Sequence, residues 1–475
     1  MIVRSAEYLK GQDGSLNLEL VKSCIVEHEG KDVPRIKRLR DYYHNKPLIL
    51  ERQRPDYKAN NRIAHGYPRY ITLIASGYLL GEPVQYSAKK EVDLEPLTEA
   101  YKLSKVPSVD AELARDASIC GYGVELCYAD ENANPKTAAL EPEQAFVVYD
   151  DTVENNPLFG CHYYDKTDEN GKSIGKIVNV YTDESHYTIE ARSINSIPKG
   201  TVDEIEHEFD AVPVVEYWNN EDALGDFEQE ITGIDAYNTL QSDRVNDKEQ
   251  FVDSILVITG AMLQDTIDEN GNTVETGMSQ LKRERLLNLP DNDAGAQYLS
   301  NTMSDADTEI LKNSIASDIH KFSMVPDLTD QNFAGNVSGV AMKYKLLGLE
   351  LLTQVKEKWF REGLTERLKL FINFLRKKGA ALPDAEEIDM VFKRSLPANE
   401  LEIAQMVATL NDTVSKKTLL GQVPFVEDVE TEMEQVNEQL EEAAKRQRAA
   451  FEVPYVPFKE EEAKTRKDET EEKNE

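Results

Sequence analysis

Residues 213–247, PVVEYWNNEDALGDFEQEITGIDAYNTLQSDRVND, change their hydrophobic period part-way along. Val214, Val215, Tyr217 and Trp218 are β-branched or aromatic and closely spaced, the pattern of a short strand. The polar stretch that follows ends it. Phe227, Ile231, Ile234, Tyr237 and Leu240 then recur along one stripe. Their spacing predicts a helix over residues 226–250, about 37 Å long at 1.5 Å per residue. It holds seven acids and two bases, a net −5. A sheet region that hands over to a long acidic helix is thus the organising feature.

Working upstream, residues 122–218 are dominated by short β-branched or aromatic runs between Asp, Asn, Gly and Pro turns: GVELCYA, AFVVYD, LFGCHYY, IVNVYT and VPVVEYW. They predict a mixed domain with a mostly antiparallel sheet, and DENGK at 168–172 predicts a hairpin loop. Residues 94–120 are predicted helical. So are residues 63–80, where Ile63, Tyr67, Tyr70, Ile71, Ile74 and Tyr78 keep helical spacing until Gly81 and Pro83. Residues 1–50 also read as helical, followed by the polar loop ERQRPDYKANNR.

Downstream, SILVITG and ERLLNLP are short β-like runs among loops. Residues 304–322 predict a second helix, with Ser304 as N-cap and Leu311, Ile315, Ile319 and Phe322 as its stripe. Pro326, Gly335 and an Asp/Asn cluster stop that helix within SMVPDLTDQNFAGNV, residues 323–337. A long helix is expected from 338 to 378, about 60 Å, with Gly348 and Gly363 as places to bend. A helical region over 399–449 precedes the charged end KEEEAKTRKDETEEKNE, expected to be disordered.

Composition narrows the function. The 475 residues carry a net charge of −34, yet the first seventy are +5 and the remainder −39. An acidic chain does not grip phosphates broadly, because such grips need Lys and Arg stripes. Four scattered cysteines, Cys24, Cys120, Cys127 and Cys161, form no disulfide framework and point to a reducing compartment. The longest apolar runs, Ile71–Leu80 and Ile255–Leu263, are shorter than the ~20 residues that span a bilayer. The first twenty residues lack the apolar core of a signal peptide, so a soluble intracellular product without membrane partners is expected.

Catalytic motifs are poor. Gly171-Lys172-Ser173 echoes a phosphate loop, but Lys166 stands where its first glycine is required. Cys24/His28 and Cys120/Cys127 lack metal-ligand spacing, and Ser87–Lys90 matches SxxK without companion motifs. Adjacent Asp150 and Asp151 read as turn formers. No enzyme, cofactor or metal is expected.

Three stretches, read in order, resemble portal proteins of long-tailed bacteriophages of the Bacillus siphophage type. They are NNRIAHGYPRYITLIASGYLLGEPVQY at 60–86, the opening stretch at 213–247, and PDLTDQNFAGNVSGVAMKYKL at 326–346. RSLPANELEIAQMV and GQVPFVEDVETEMEQV extend the similarity, which covers about residues 30–440.

The resemblance implies an α+β portal fold: a mixed α/β wing, a two-helix stem, a small clip, a long wing helix and a helical crown. Mapped here, the N-terminal region and wing are 1–225, the stem helices 226–250 and 304–322, and the clip 251–303. A tunnel loop is 323–337, the wing helix and its return 338–395, the crown 396–450 and the tail 451–475. Twelve copies would ring a channel for double-stranded DNA at one capsid vertex, built in the host cytoplasm. Partners would be the terminase motor, capsid or scaffold proteins and head-completion proteins. The tunnel-loop candidates are Met324, Val325, Pro326, Asp327, Leu328, Asn332, Phe333, Gly335 and Asn336. The acidic polar face makes Asp226, Glu228, Asp235 and Asp243 channel-lining candidates, joined by Lys321, Lys343 and Lys345 beside the loop. The alternative is another phage structural, adaptor or scaffold protein without a channel.

Overall fold

The structure is a computed structural model. It describes residues 1–251 apart from 12–13, 56–57 and 90–91, short pieces of 252–304, residues 305–329 and 339–394, pieces of 395–428, and 429–451. ERLLNLP, Ser304 and the expected disordered tail lie outside the described residues.

In chain order the first half comprises β1 (Ile2–Val3), α1 (Leu18–Tyr43), α2 (Tyr67–Leu80), β2 (Gln85–Ala88), α3 (Glu95–Ser104) and α4 (Val106–Cys120). Then come β3 (Tyr122–Ala129), β4 (Pro135–Leu140), β5 (Ala145–Tyr149), β6 (Pro157–Thr167), β7 (Ser173–Tyr181), β8 (Ser185–Ala191), β9 (Thr201–Glu206) and β10 (Val214–Trp218). The second half has α5 (Ile231–Phe251), β11 (Ile255–Thr259), β12 (Thr266–Ile267), β13 (Thr273–Glu275), β14 (Gly295–Leu299) and α6 (Asp305–Phe322). It continues with α7 (Gly339–Lys345), α8 (Leu347–Lys377), β15 (Ile388–Val391), α9 (Lys416–Leu420) and α10 (Val429–Phe451).

A six-stranded sheet runs β1-β5-β6-β7-β8-β9, and a three-stranded one runs β10-β3-β4. Both are antiparallel except for the β1–β5 pair, so the expected mixed α/β region with a mostly antiparallel sheet is what forms. All five quoted β runs are strands; β4, β8 and β9 are additional. The 168–172 loop closes the β6–β7 hairpin, with Gly171 at φ 76°, so Gly171-Lys172-Ser173 belongs to a turn. The helical expectation for 1–50 holds only from Leu18, and 94–120 divides at Lys105, which adopts φ 55°. Residues 397–475 form a second compact unit containing α9 and α10.

The long helix differs from its expectation in where it breaks. It is interrupted at Leu346, between α7 and α8, while α8 runs unbroken through Gly348 and Gly363. It also has partners in its own chain. Phe360, Leu364, Leu368 and Phe371 share a core with Leu97, Tyr101, Leu113 and Tyr217. Each such burial stabilises by roughly 1.5–3 kcal/mol, more than the ~1 kcal/mol that each helical glycine costs. Gly363 is where the Tyr217 ring packs: a Cβ there would lie 2.6 Å from Tyr217 Cδ1.

Beneath that core lies a buried polar cluster. The wholly buried Arg367 guanidinium donates to Asp110 at 2.6 Å and Glu125 at 3.1 Å, and Tyr217 Oη donates to Glu125 at 2.6 Å. Two carboxylates on one cation join α4, β3 and β10 to α8. Burial pushes the Asp110 carboxyl up, opposed by Arg367. All four cysteines are buried thiols.

Candidate functional site

The candidate site is the α5–α6 pair with the segment that leaves α6. The predicted apolar stripe of α5 is in place: Phe227, Ile231, Ile234 and Tyr237 are buried and Leu240 is half-buried. The helix begins five residues later than expected. The Asp226 N–H is drawn to Ser118 O at 2.8 Å, and residues 228–230 form a tight turn in which Glu228 Oε2 accepts from the Gly225 N–H at 3.0 Å. A glutamate reaching back to an N–H ahead of the first turn is the capping-box logic.

The four acidic channel candidates do not form an open polar face. Asp226 and Lys356 make an ion pair with side-chain exposures of 1 % and 2 %, and Asp226 also accepts from Ser118 Oγ at 2.5 Å and Asn219 Nδ2 at 2.8 Å. Glu228 takes two bonds from Arg35, at 2.7 and 2.5 Å. Asp235 accepts from Tyr42 Oη at 2.8 Å. Burial and this carboxylate push the Tyr42 hydroxyl up to about 12. Asp243 accepts from Arg52 at 2.7 Å and Arg54 at 2.6 Å. The acids are held by cations and a hydroxyl of the same protomer. Exposed positions on α5 include Thr232, Ala236, Thr239 and Val245 and, toward its end, Asp247, Lys248 and Glu249.

A row of small polar side chains on α5 was not singled out from sequence. Asn238, Ser242 and Asn246 are fully buried, and each accepts a main-chain N–H from an extended segment. The bonds are His65 N–H to Asn238 Oδ1 at 2.9 Å, Ile63 N–H to Ser242 Oγ at 2.9 Å and Asn61 N–H to Asn246 Oδ1 at 2.7 Å. Small acceptors at i, i+4 and i+8 opposite every second residue of an extended chain are the signal that a sequence reading can use.

On α6, Ile319 is buried and Ile315 half-buried against α5, but Leu311 and Phe322 are exposed. Arg244 and Glu309 link the two helices at 2.7 Å. Lys321 is exposed, with its ammonium 5.1 Å from the Phe322 ring centroid. Lys343 is exposed and Lys345 half-buried.

The expected tunnel loop begins as an anchored connector. Val325 is wholly buried, and its carbonyl lies 2.9 Å from His320 Nδ1. Tyr70 Oη donates to Pro326 O at 3.0 Å and accepts from the Leu328 N–H at 2.9 Å. Asp327 Oδ1 accepts from the Thr329 N–H at 2.9 Å, while Met324 and Leu328 are exposed. Asn332, Phe333, Gly335 and Asn336 lie outside the described residues.

The other sequence candidates have structural employment. Asp150 caps its turn by accepting from Thr152 and Asn156. Cys24 is buried, and His28 is buried with its Nδ1 2.9 Å from Tyr163 Oη. Among the described residues no group of three or more His, Cys, Asp or Glu is placed to hold a metal, and no helix is long and apolar enough to cross a membrane. The polar side chains gathered around α5 bind parts of the chain to one another.

The chain matches the family described as "Phage portal protein, SPP1 Gp6-like" over residues 23–446, and it belongs to that family of phage-head structural proteins. It is 23% identical over 473 residues to the portal protein of Bacillus phage SPP1, covering 94% of this chain and 90% of that one. The portal protein of Clostridium phage phiCD119 is 24% identical over 443 residues, covering 87% of this chain and 94% of that one. Among solved structures, a chain from the neck of an empty gene transfer agent particle superposes with a TM-score of 0.45 at 13% identity, covering 75% of this chain and 90% of that one. A chain from a native gene transfer agent virion gives 0.43 at 15% identity, covering 82% and 93%.

Proposed function

We propose that this chain assembles into a ring, twelve-fold in the virion, that lines the DNA passage at one vertex of the phage head. Double-stranded DNA would enter through it during packaging and leave through it at ejection. The ring would dock the terminase motor first and head-completion proteins later. On this reading residues 1–225 with α8 are the wing, α5 and α6 the stem, 251–303 the clip, 323–337 the tunnel loop and 396–450 the crown. The pairing of the α5 acids bears on one part of the mechanism. Three of the four acids are paired with cations of the same protomer, so repulsion of phosphates at the stem would fall chiefly to exposed acids such as Asp247 and Glu249 on α5 and Asp318 on α6.

Beyond family membership, one observation supports the ring. Leu347, Leu351 and Val355 on α8 are 49%, 51% and 48% exposed and lie four residues apart. An apolar line of this kind on a helix otherwise packed in its own protomer suits a neighbouring copy. Electron-microscopy class averages of the purified chain test this directly, with closed rings expected. The double variant L351E/V355E should give protomers with an unchanged far-UV spectrum. Protomers alone from the unaltered chain, at every concentration and salt, would overturn the ring.

A further inference from the structure

We propose that β9 is a docking edge that takes a basic, extended segment of a partner protein as an added strand. β9 ends the six-stranded sheet, and all six of its residues are exposed. The His207 N–H donates to Glu184 O at 2.9 Å, in register with the Ser185–Glu206 pairing. Antiparallel ladders alternate bonded and non-bonded pairs. Thr201, Asp203 and Ile205 therefore exchange bonds with β8. Val202, Glu204 and Glu206 turn their N–H and C=O groups off the edge of the sheet.

The same three residues line a cavity of about 740 Å³ whose opposite wall includes Lys10 and Leu16. Within it, Lys377 is held by Glu208 and Asp210 at 2.9 and 2.6 Å. That leaves Glu184, Glu204 and Glu206 against Lys10, an acidic excess beside an edge that no strand among the described residues covers. Ile205, 65% exposed, adds apolar contact on the other face of the strand.

Charge selects the occupant. Charged side chains on an edge strand normally discourage pairing with another copy, because two β9 strands would set acids against acids. The same acids favour a strand with Lys or Arg at alternate positions, whose cations would enter the cavity while its main chain completes the ladder. This inference does not depend on the ring, since the edge belongs to a single protomer.

The test uses the purified full-length chain and fluorescence anisotropy with two labelled short peptides of equal charge, one alternating Lys and Val, the other Lys and Pro. The Lys–Val peptide should bind at least about tenfold more tightly, because proline cannot donate to a ladder. V202P removes one outward N–H at an edge position where proline is tolerated, and should weaken binding about tenfold. E204Q/E206Q should weaken it further and make it less sensitive to salt. Equal binding of the two peptides, or charge dependence without an effect of V202P, would show nonspecific attraction and overturn the proposal. So would binding to protomers that vanishes in assembled rings, which would make a neighbouring copy the occupant.

Discussion

Arg35 and Glu228 are 193 residues apart and meet through two parallel hydrogen bonds of 2.7 and 2.5 Å. With Arg52 and Arg54 on Asp243, this pair ties the basic first seventy residues to the acidic helix. The basic first seventy residues and the acidic helix are two sides of one joint. E228K should destabilise by about 1.5–3 kcal/mol, the usual range for hydrogen bonds to charged groups. The swap R35E/E228K should recover part of it. Urea unfolding reads both, and an E228K midpoint equal to that of the unaltered chain would remove the pair from the stability of the fold.

Asp226 sits deeper, so its replacement should cost more. D226K would place a second ammonium against buried Lys356, and K356M would leave the carboxylate unpaired. Each should destabilise by about 3–5 kcal/mol, and D226N/K356M should be milder than K356M alone. The same denaturation series would show whether the double variant fails to recover, in which case the pair is not the source of the loss.

His28 supplies a pH dependence. Burial lowers its imidazole from 6.5 to about 4, so the unfolded chain binds the proton more readily. Its contribution is present above 6.5 and is lost as pH falls toward 4, by up to about 3 kcal/mol. H28F keeps the packing on Phe146, while Tyr163 retains its bond to the Glu143 carbonyl. Urea midpoints measured from pH 7 to 4 should fall less steeply in H28F than in the unaltered chain.

Two glycines should respond oppositely to alanine. Helix propensity favours alanine by about 1 kcal/mol, and exposed Gly77 has open space around its missing side chain, so G77A should stabilise. At Gly363 the buried, hydrogen-bonded Tyr217 ring stands in the way, and overpacking of about 1–3 kcal/mol should exceed the propensity gain. Thermal melts that rank G363A above G77A would refute the close-packing account.

N238A leaves the part-buried His65 N–H without its acceptor, at a cost of about 1 kcal/mol. Hydrogen exchange localises the effect: the amides of Asn61, Ile63 and His65 should exchange faster, while those of β7 stay protected. Unchanged exchange at His65 would mean that the segment is held by other contacts.

Much of the fold was legible because its signals are local. The stripe from Phe227 to Tyr237 fixes which side of α5 is buried, and the short β-branched and aromatic runs AFVVYD and IVNVYT, bounded by turn residues, mark two strands of the large sheet. The misread parts depend on distant partners. A polar face such as that of Asp226, Glu228, Asp235 and Asp243 reads identically whether it meets water or arginines 190 residues upstream. The helix interruption falls at Leu346, a good helix former, because the local turn there is set by packing around Leu346 and Leu349 rather than by propensity. SHYTIEA and TVDEIE are too polar to read as strands unaided, and β9 gains its conformation from β8.

The row of bonds from residues 61–65 to α5 limits its own length. Two residues of an extended chain advance about 6.6 Å, whereas four residues of a helix advance about 6.0 Å. The two rulers slip by about 0.6 Å per rung, so three rungs stay within hydrogen-bond reach and a longer row drifts out of it. The next helix position toward the N-terminus is Ile234, an apolar core residue with no acceptor to offer. Such a vernier permits one alignment. Inserting a single residue between Asn61 and His65 would turn side chains, rather than N–H groups, toward α5 and undo the contact as a whole instead of shifting it.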